Sequence, residues 1–152
     1  MDNALRIGAA ALLLTGAAVV VTPASATMEW TPARHTQGDS TYITGGVGER
    51  DAKRFEALVP RHRLAIEVLE HAGSISEFTA GAGVKIDNVR GKTVLDARAD
   101  GPFMLVDLPP GRYSVAATLA GHGTERKAVV VGTDKVARVT FDFPAWTGGQ
   151  QR

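Results

Sequence analysis

The chain contains no cysteine. Thiol catalysis, disulfide staples, cysteine–zinc sites and iron–sulfur clusters are therefore excluded. Like charges never run five in a row, and the formal net charge is only +1. Nothing electrostatic draws such a chain to nucleic acid or anionic lipid. Aromatic residues are scarce, at 6%, which argues against a built stacking platform for sugars or bases. Long apolar runs are missing too. Ile7 to Val21 is stopped by Thr22-Pro23, short of the ~20 residues that a bilayer span needs.

A leader pattern comes first. Arg6 precedes the apolar run, and Ala24-Ser25-Ala26 is a small-x-small cleavage site. Residues 1–26 read as a secretory signal peptide cut after Ala26, with no membrane insertion afterwards. The expected location is the periplasm or the medium. With no cysteine near Ala24, a lipid anchor is not expected. Asp2 and Arg6 leave together, so the net charge does not change.

Residues 27–44 are polar and turn-rich, and read as a flexible arm. Residues 144–152 read as a flexible tail. Trp30, Tyr42 and Trp146 in these segments are candidate contacts to a partner or ligand. Residues 45–60 read as a glycine hinge and a helix. Gly45-Gly46-Val47-Gly48 lacks the Gly-Lys-Ser/Thr ending of a P-loop and the third glycine of a dinucleotide fingerprint. Glu49 and Asp51 would also repel a phosphate there. From Glu49 to Val59, Ala52, Phe55, Leu58 and Val59 share one stripe at helical spacing. The two acids suit the positive end of the helix dipole, and Pro60 ends the helix. Phe55 and Leu58 are expected to lie on a sheet.

From Arg61 the period switches to two. Leu64, Ile66 and Val68 face one way, Ala65, Glu67 and Leu69 the other. Ser76 to Ala80 reads only as a connector. Six more strands follow, near residues 84–89, 93–99, 103–108, 112–120, 124–131 and 135–143, divided by Gly- and Pro-rich turns. Tyr113, Val115, Ala117 and Leu119 share a face, as do Val139, Phe141 and Phe143. About seven short strands with one short N-terminal helix imply an all-β, antiparallel Greek-key sandwich over residues 61–143. No second helix is available to cover a parallel sheet.

The stretch Asp100-Gly101-Pro102-Phe103-Met104-Leu105-Val106-Asp107-Leu108-Pro109-Pro110-Gly111-Arg112-Tyr113-Ser114-Val115 organises the rest. It reads as strand, tight turn, strand, because neither proline can donate to a ladder. Tyr113, two residues beyond the turn, is expected to bury its ring and bond its hydroxyl to upstream backbone. Leu108 to Val115 resembles the L-P-x-G-x-Y-x-V signature of carboxypeptidase regulatory-like domains, and Asp100-Gly101-Pro102-Phe103 resembles their D-G-x-F step. Tyr42-Ile43-Thr44-Gly45-Gly46-Val47-Gly48-Glu49, with this later region, resembles secreted proteobacterial proteins that carry the domain. The resemblance spans roughly residues 41–143. It implies a small prealbumin-like or immunoglobulin-like sandwich, with residues 84–89 and 93–99 as a hairpin. It implies structural roles for Gly101, Leu108, Pro109, Pro110, Gly111 and Tyr113. It implies no activity, since the domain is an accessory module in unrelated proteins.

No constellation carries chemistry. His35, His62, His71 and His122 form no H-x-H or i,i+4 pair. His62 and His71 stand at opposite ends of one strand, and only the turn residues His71 and His122 could meet. Asp87, Asp96, Asp100, Asp107 and Asp134 are scattered through turns and strand ends, with no calcium-loop spacing. Ser74, Ser76 and Ser114 lack a nucleophile-elbow context. We expect no catalytic, metal or cofactor site. The sequence points to a non-enzymatic module that docks a cell-envelope protein, with a glycan or small-molecule binder as the alternative. Strand addition at a sheet edge is the expected mode, with Lys85, Arg90 and Lys92 as candidate contacts or guards of that edge.

Overall fold

The computed structural model describes residues 29–72 and 74–145. Residues 1–26, the expected leader, and Trp146 lie outside them. The chain divides into two units, Met1–Trp30 and Thr31–Arg152. All that follows concerns the second. In chain order it holds β1 (His35–Gln37), β2 (Ser40–Gly45), α1 (Glu49–Leu58), a 3-10 turn (Val59–Arg61), β3 (Leu64–Ala72), β4 (Ile75–Phe78), β5 (Gly83–Asn88), β6 (Thr93–Arg98), β7 (Phe103–Asp107), β8 (Gly111–Leu119), β9 (His122–Val131) and β10 (Ala137–Pro144).

The strands form two sheets. The first runs β1-β2-β7-β3-β10, with β4 beside the far half of β3, and the second runs β6-β5-β8-β9. An all-β sandwich is the observed fold, as the period-two alternation requires. Four features depart from expectation. Ten strands are described, not seven. Residues 35–45, read as an arm running into a hinge, are ladder residues, with Ile43 opposite Leu105 of β7. The connector at 76–80 begins inside β4, which pairs with β3. These three strands were illegible because short polar segments such as Ser40-Thr41-Tyr42 alternate too weakly to stand out. The pairing is also not wholly antiparallel: β10 runs parallel to β3, Ala137 opposite Leu64 through Pro144 opposite His71.

One core lies between the sheets. Leu64, Ile66 and Val68 of β3 meet Met104 and Val106 of β7, Val139, Phe141 and Phe143 of β10, and Val84, Ile86, Leu95, Val115 and Ala117 of the second sheet. A second core lies on the outer face of the first sheet. There α1 sets Ala52, Phe55 and, just beyond, Val59 on Ile43, Ala65, Phe103 and Leu105. Every residue from Phe103 to Val106 is consequently buried, which is why β7 reads as an unbroken apolar run.

The glycines of the two singled-out stretches meet here. The Phe55 ring would stand 2.9 Å from a Cβ on Gly45, and the Phe103 ring 2.5 Å from one on Gly46. A Cβ on Gly101 would collide with the Gly45 carbonyl. Thr44 Oγ1 accepts from Asp100 N–H at 3.0 Å and donates to the Phe103 carbonyl at 2.9 Å. The glycines of residues 45–48 thus serve close packing and helix entry.

The turns follow local chemistry. Asn88 Oδ1 accepts from the Arg90 and Lys92 N–H groups at 2.9 and 3.1 Å, fixing the β5–β6 turn. The β8–β9 turn is tighter than expected. Leu119 sits opposite His122, and Ala120 and Gly121 both take positive φ, 49° and 82°, as a two-residue I′ hairpin requires.

Candidate functional site

Tyr113 takes the place expected of it. Its ring is buried in the inter-sheet core and its hydroxyl donates to the Pro109 carbonyl at 2.6 Å. Burial raises its pKa. Leu108 is buried, while Pro109, Pro110 and Gly111 form the exposed turn. Leu108 and Tyr113 thus pack in the core, and Pro109 supplies the carbonyl that the Tyr113 hydroxyl bonds.

Two of the four histidines pair with aspartates. His62 is buried, and its Nδ1 donates to Asp107 Oδ2 at 2.9 Å, while Asp107 Oδ1 accepts from Arg63 N–H at 3.0 Å. This latch joins the end of β7 to the start of β3. His71 Nδ1 donates to Asp142 Oδ1 at 2.6 Å. Among the described residues no three His, Asp or Glu side chains gather where they could hold a metal ion. Asp87 accepts from Thr93 Oγ1 at 2.7 Å and Asp134 from Thr133 Oγ1 at 3.2 Å, the ordinary work of turn and strand-end aspartates.

The candidate contact residues are not brought together. Tyr42 stacks on His35 across β1 and β2, ring centroids 5.0 Å apart, and packs against the inter-sheet core. Lys85 lies on β5, between β6 and β8 and away from any edge, 3.6 Å from Asp87. Arg90 and Lys92 occupy the β5–β6 turn. These three cations therefore do not guard a common edge. An open groove of about 520 Å³ lies beside Val47, Ala52 and Pro102, with the exposed Glu49–Lys53 ion pair at its rim.

The sheet edges differ sharply from one another. β1 and β4 are only three and four residues long, and very short edges resist pairing. The edge of β6 is occupied by side chains from the other sheet. Gln37 Nε2 donates to the Asp96 carbonyl and Asp96 N–H donates to Gln37 Oε1, both at 2.9 Å. Ser40 Oγ donates to the Val94 carbonyl at 3.0 Å. The edge of β9 is broken by a bulge opposite Tyr113–Val115, with Ala128 at φ 57°. Before that bulge Arg126, opposite the core residue Val115, sets its guanidinium 5.6 Å from the Phe141 ring centroid. A bulge and an inward-pointing charge both discourage an added strand.

Among the described residues β10 has no bulge and no side-chain seal, though Arg138, Asp142 and Pro144 lie on it. Ala137 N–H and Ala145 N–H donate to the Arg63 and His71 carbonyls, so the odd-numbered residues face β3. By the parallel ladder, the N–H and C=O groups of Arg138, Thr140 and Asp142 point to the open side. Their side chains are exposed on the outer face, while Val139, Phe141 and Phe143 are buried on the inner one. Among the described residues no strand pairs with this side. A groove of about 360 Å³ runs along it, between Arg138–Thr140 and Arg126–Val130 of β9. Sequence alternation located β10 but could not show that it is an edge.

Comparison with family models, with curated proteins and with solved structures finds no match to this chain.

Proposed function

We propose that the chain is an exported, non-enzymatic β-sandwich module that docks a protein partner in the cell envelope by strand addition at β10. The leader pattern of residues 1–26 supports export. The resemblance of Leu108 to Val115 to carboxypeptidase regulatory-like domains supports an accessory module. One observation carries the docking mode: each of the other sheet edges is short, sealed or bulged, whereas β10, among the described residues, offers an unsealed run of backbone donors and acceptors. Main-chain pairing of that kind supplies affinity, and alternate side chains supply selectivity. The alternative, a glycan or small-molecule binder, would use the groove beside Val47. With Tyr42 engaged by His35, it has less support.

The test is site-specific photo-crosslinking in the native host, with the probe at Thr140 or at Asp96. Adducts to protein are expected from position 140 and not from the sealed edge at 96. Equal yields from both positions, or none from 140, overturn the reading.

A further inference from the structure

The outward-facing residues of the β10 edge are complementary in charge to their own reversed order. They are Arg138, Thr140 and Asp142, one cation and one anion flanking a central threonine. Laid antiparallel on a copy of itself about Thr140, the strand sets Arg138 opposite Asp142 of the second copy, Thr140 opposite Thr140, and Asp142 opposite Arg138. We infer that the partner taken by this edge is a second copy of the same chain, β10 against β10 across a two-fold axis through Thr140. The inference rests on the docking edge proposed above and names its occupant.

Three independent features select this register. All three facing pairs use residues whose N–H and C=O groups point outward, so each pair exchanges both ladder hydrogen bonds. Shifting by two residues toward the C-terminus brings Pro144 opposite Arg138, where it has no N–H to give. Shifting either way separates Arg138 from Asp142. Opposite charges and paired threonines across strands are favourable, and like charges are not. A two-fold axis normal to the sheet also keeps the faces matched. Val139 falls opposite Phe141 of the second copy on the inner face, a β-branched residue beside an aromatic one.

The charges at the edge already have partners that extend the pattern. Arg138 lies 3.5 Å from Glu67, and Asp142 holds His71. Pairing two copies joins these into a row on the outer face, Glu67 to Arg138 to Asp142 of the second copy to its His71. Such an isologous interface closes on itself and stops at a dimer.

Charge reversal tests the inference. Sedimentation of the purified chain at about 100 μM is expected to show a dimer, as a small strand-pair interface permits. Arg138→Asp alone and Asp142→Arg alone set like charges opposite one another twice, and should each weaken the dimer about tenfold or more. The double variant Arg138→Asp/Asp142→Arg restores both pairs and should restore the dimer. Thermal melts of all four proteins check that each is folded. A monomer at this concentration overturns the inference, as does a double variant as weak as the singles. A monomer whose position-140 probe still crosslinks a different protein overturns self-pairing and leaves the docking edge standing. A monomer with no adduct at 140 overturns both.

Discussion

The side-chain amide of Gln37 pairs with the backbone of Asp96 as another strand would, giving and receiving one hydrogen bond, each 2.9 Å long. The two residues belong to different sheets and stand 59 positions apart in the chain. Their contact closes one side of the sandwich, whereas β10, among the described residues, carries no such seal.

Replacing Gln37 removes that seal. Gln37→Ala is expected to lose about 1–2 kcal/mol, a fall of roughly 3–8 °C in Tm. It should also raise the rate of thermal aggregation, because the carbonyl and N–H of Asp96 become available to another chain. Gln37→Glu keeps an acceptor for Asp96 N–H but sets a carboxylate against its carbonyl, and should lose at least as much. Differential scanning calorimetry with light scattering measures both effects. A Gln37→Ala melt identical to the parent would refute the seal.

The Tyr113 corner makes two separable contributions. Tyr113→Phe removes only the bond to the Pro109 carbonyl and should lose about 1–1.5 kcal/mol. Tyr113→Ala also removes a buried ring and should lose about 3–5 kcal/mol. Denaturant melts would measure the gap between the two variants, and equal losses would contradict the assignment.

Alkaline pH should weaken the same corner. Burial raises the Tyr113 pKa above its ordinary value of 10.0, so the folded state favours the neutral phenol. That stabilisation is whole below the ordinary value and is lost as pH rises through the raised one. Stability measured by denaturant at increasing pH should fall more steeply above pH 10 in the parent than in Tyr113→Phe. Parallel slopes would contradict the prediction.

Gly101 and Gly91 separate two reasons for glycine. A Cβ at Gly101 collides with the Gly45 backbone, whereas one at Gly91 meets nothing within 4 Å. Gly91 needs only its positive φ of 74°. Gly91→Ala should therefore lose about 1–2 kcal/mol, and Gly101→Ala roughly 3 kcal/mol or more, because backbone has to move. Chemical denaturation ranks them, and the reverse order would refute the Gly45–Gly101 packing.

Seven of the eight strands from Leu64 onward, all but β4, were legible in the sequence, as were the helix at Glu49 and the tyrosine corner. Each depends on the spacing of apolar, turn-forming or capping residues within a few positions, and such spacing acts locally. Tertiary structure alone decided the rest. The parallel register of β10 on β3, the recruitment of residues 35–45 into a sheet, and the packing of Gly101 on Gly45 depend on segments far apart in the chain. Lys85 shows the difference plainly. Alternation placed it on a strand, but only the strand order placed that strand inside the sheet. Edge or interior is a relation among strands, and a single strand's own residues do not encode it. For the same reason a glutamine in a polar turn gave no sign that its amide would complete a ladder in the opposite sheet.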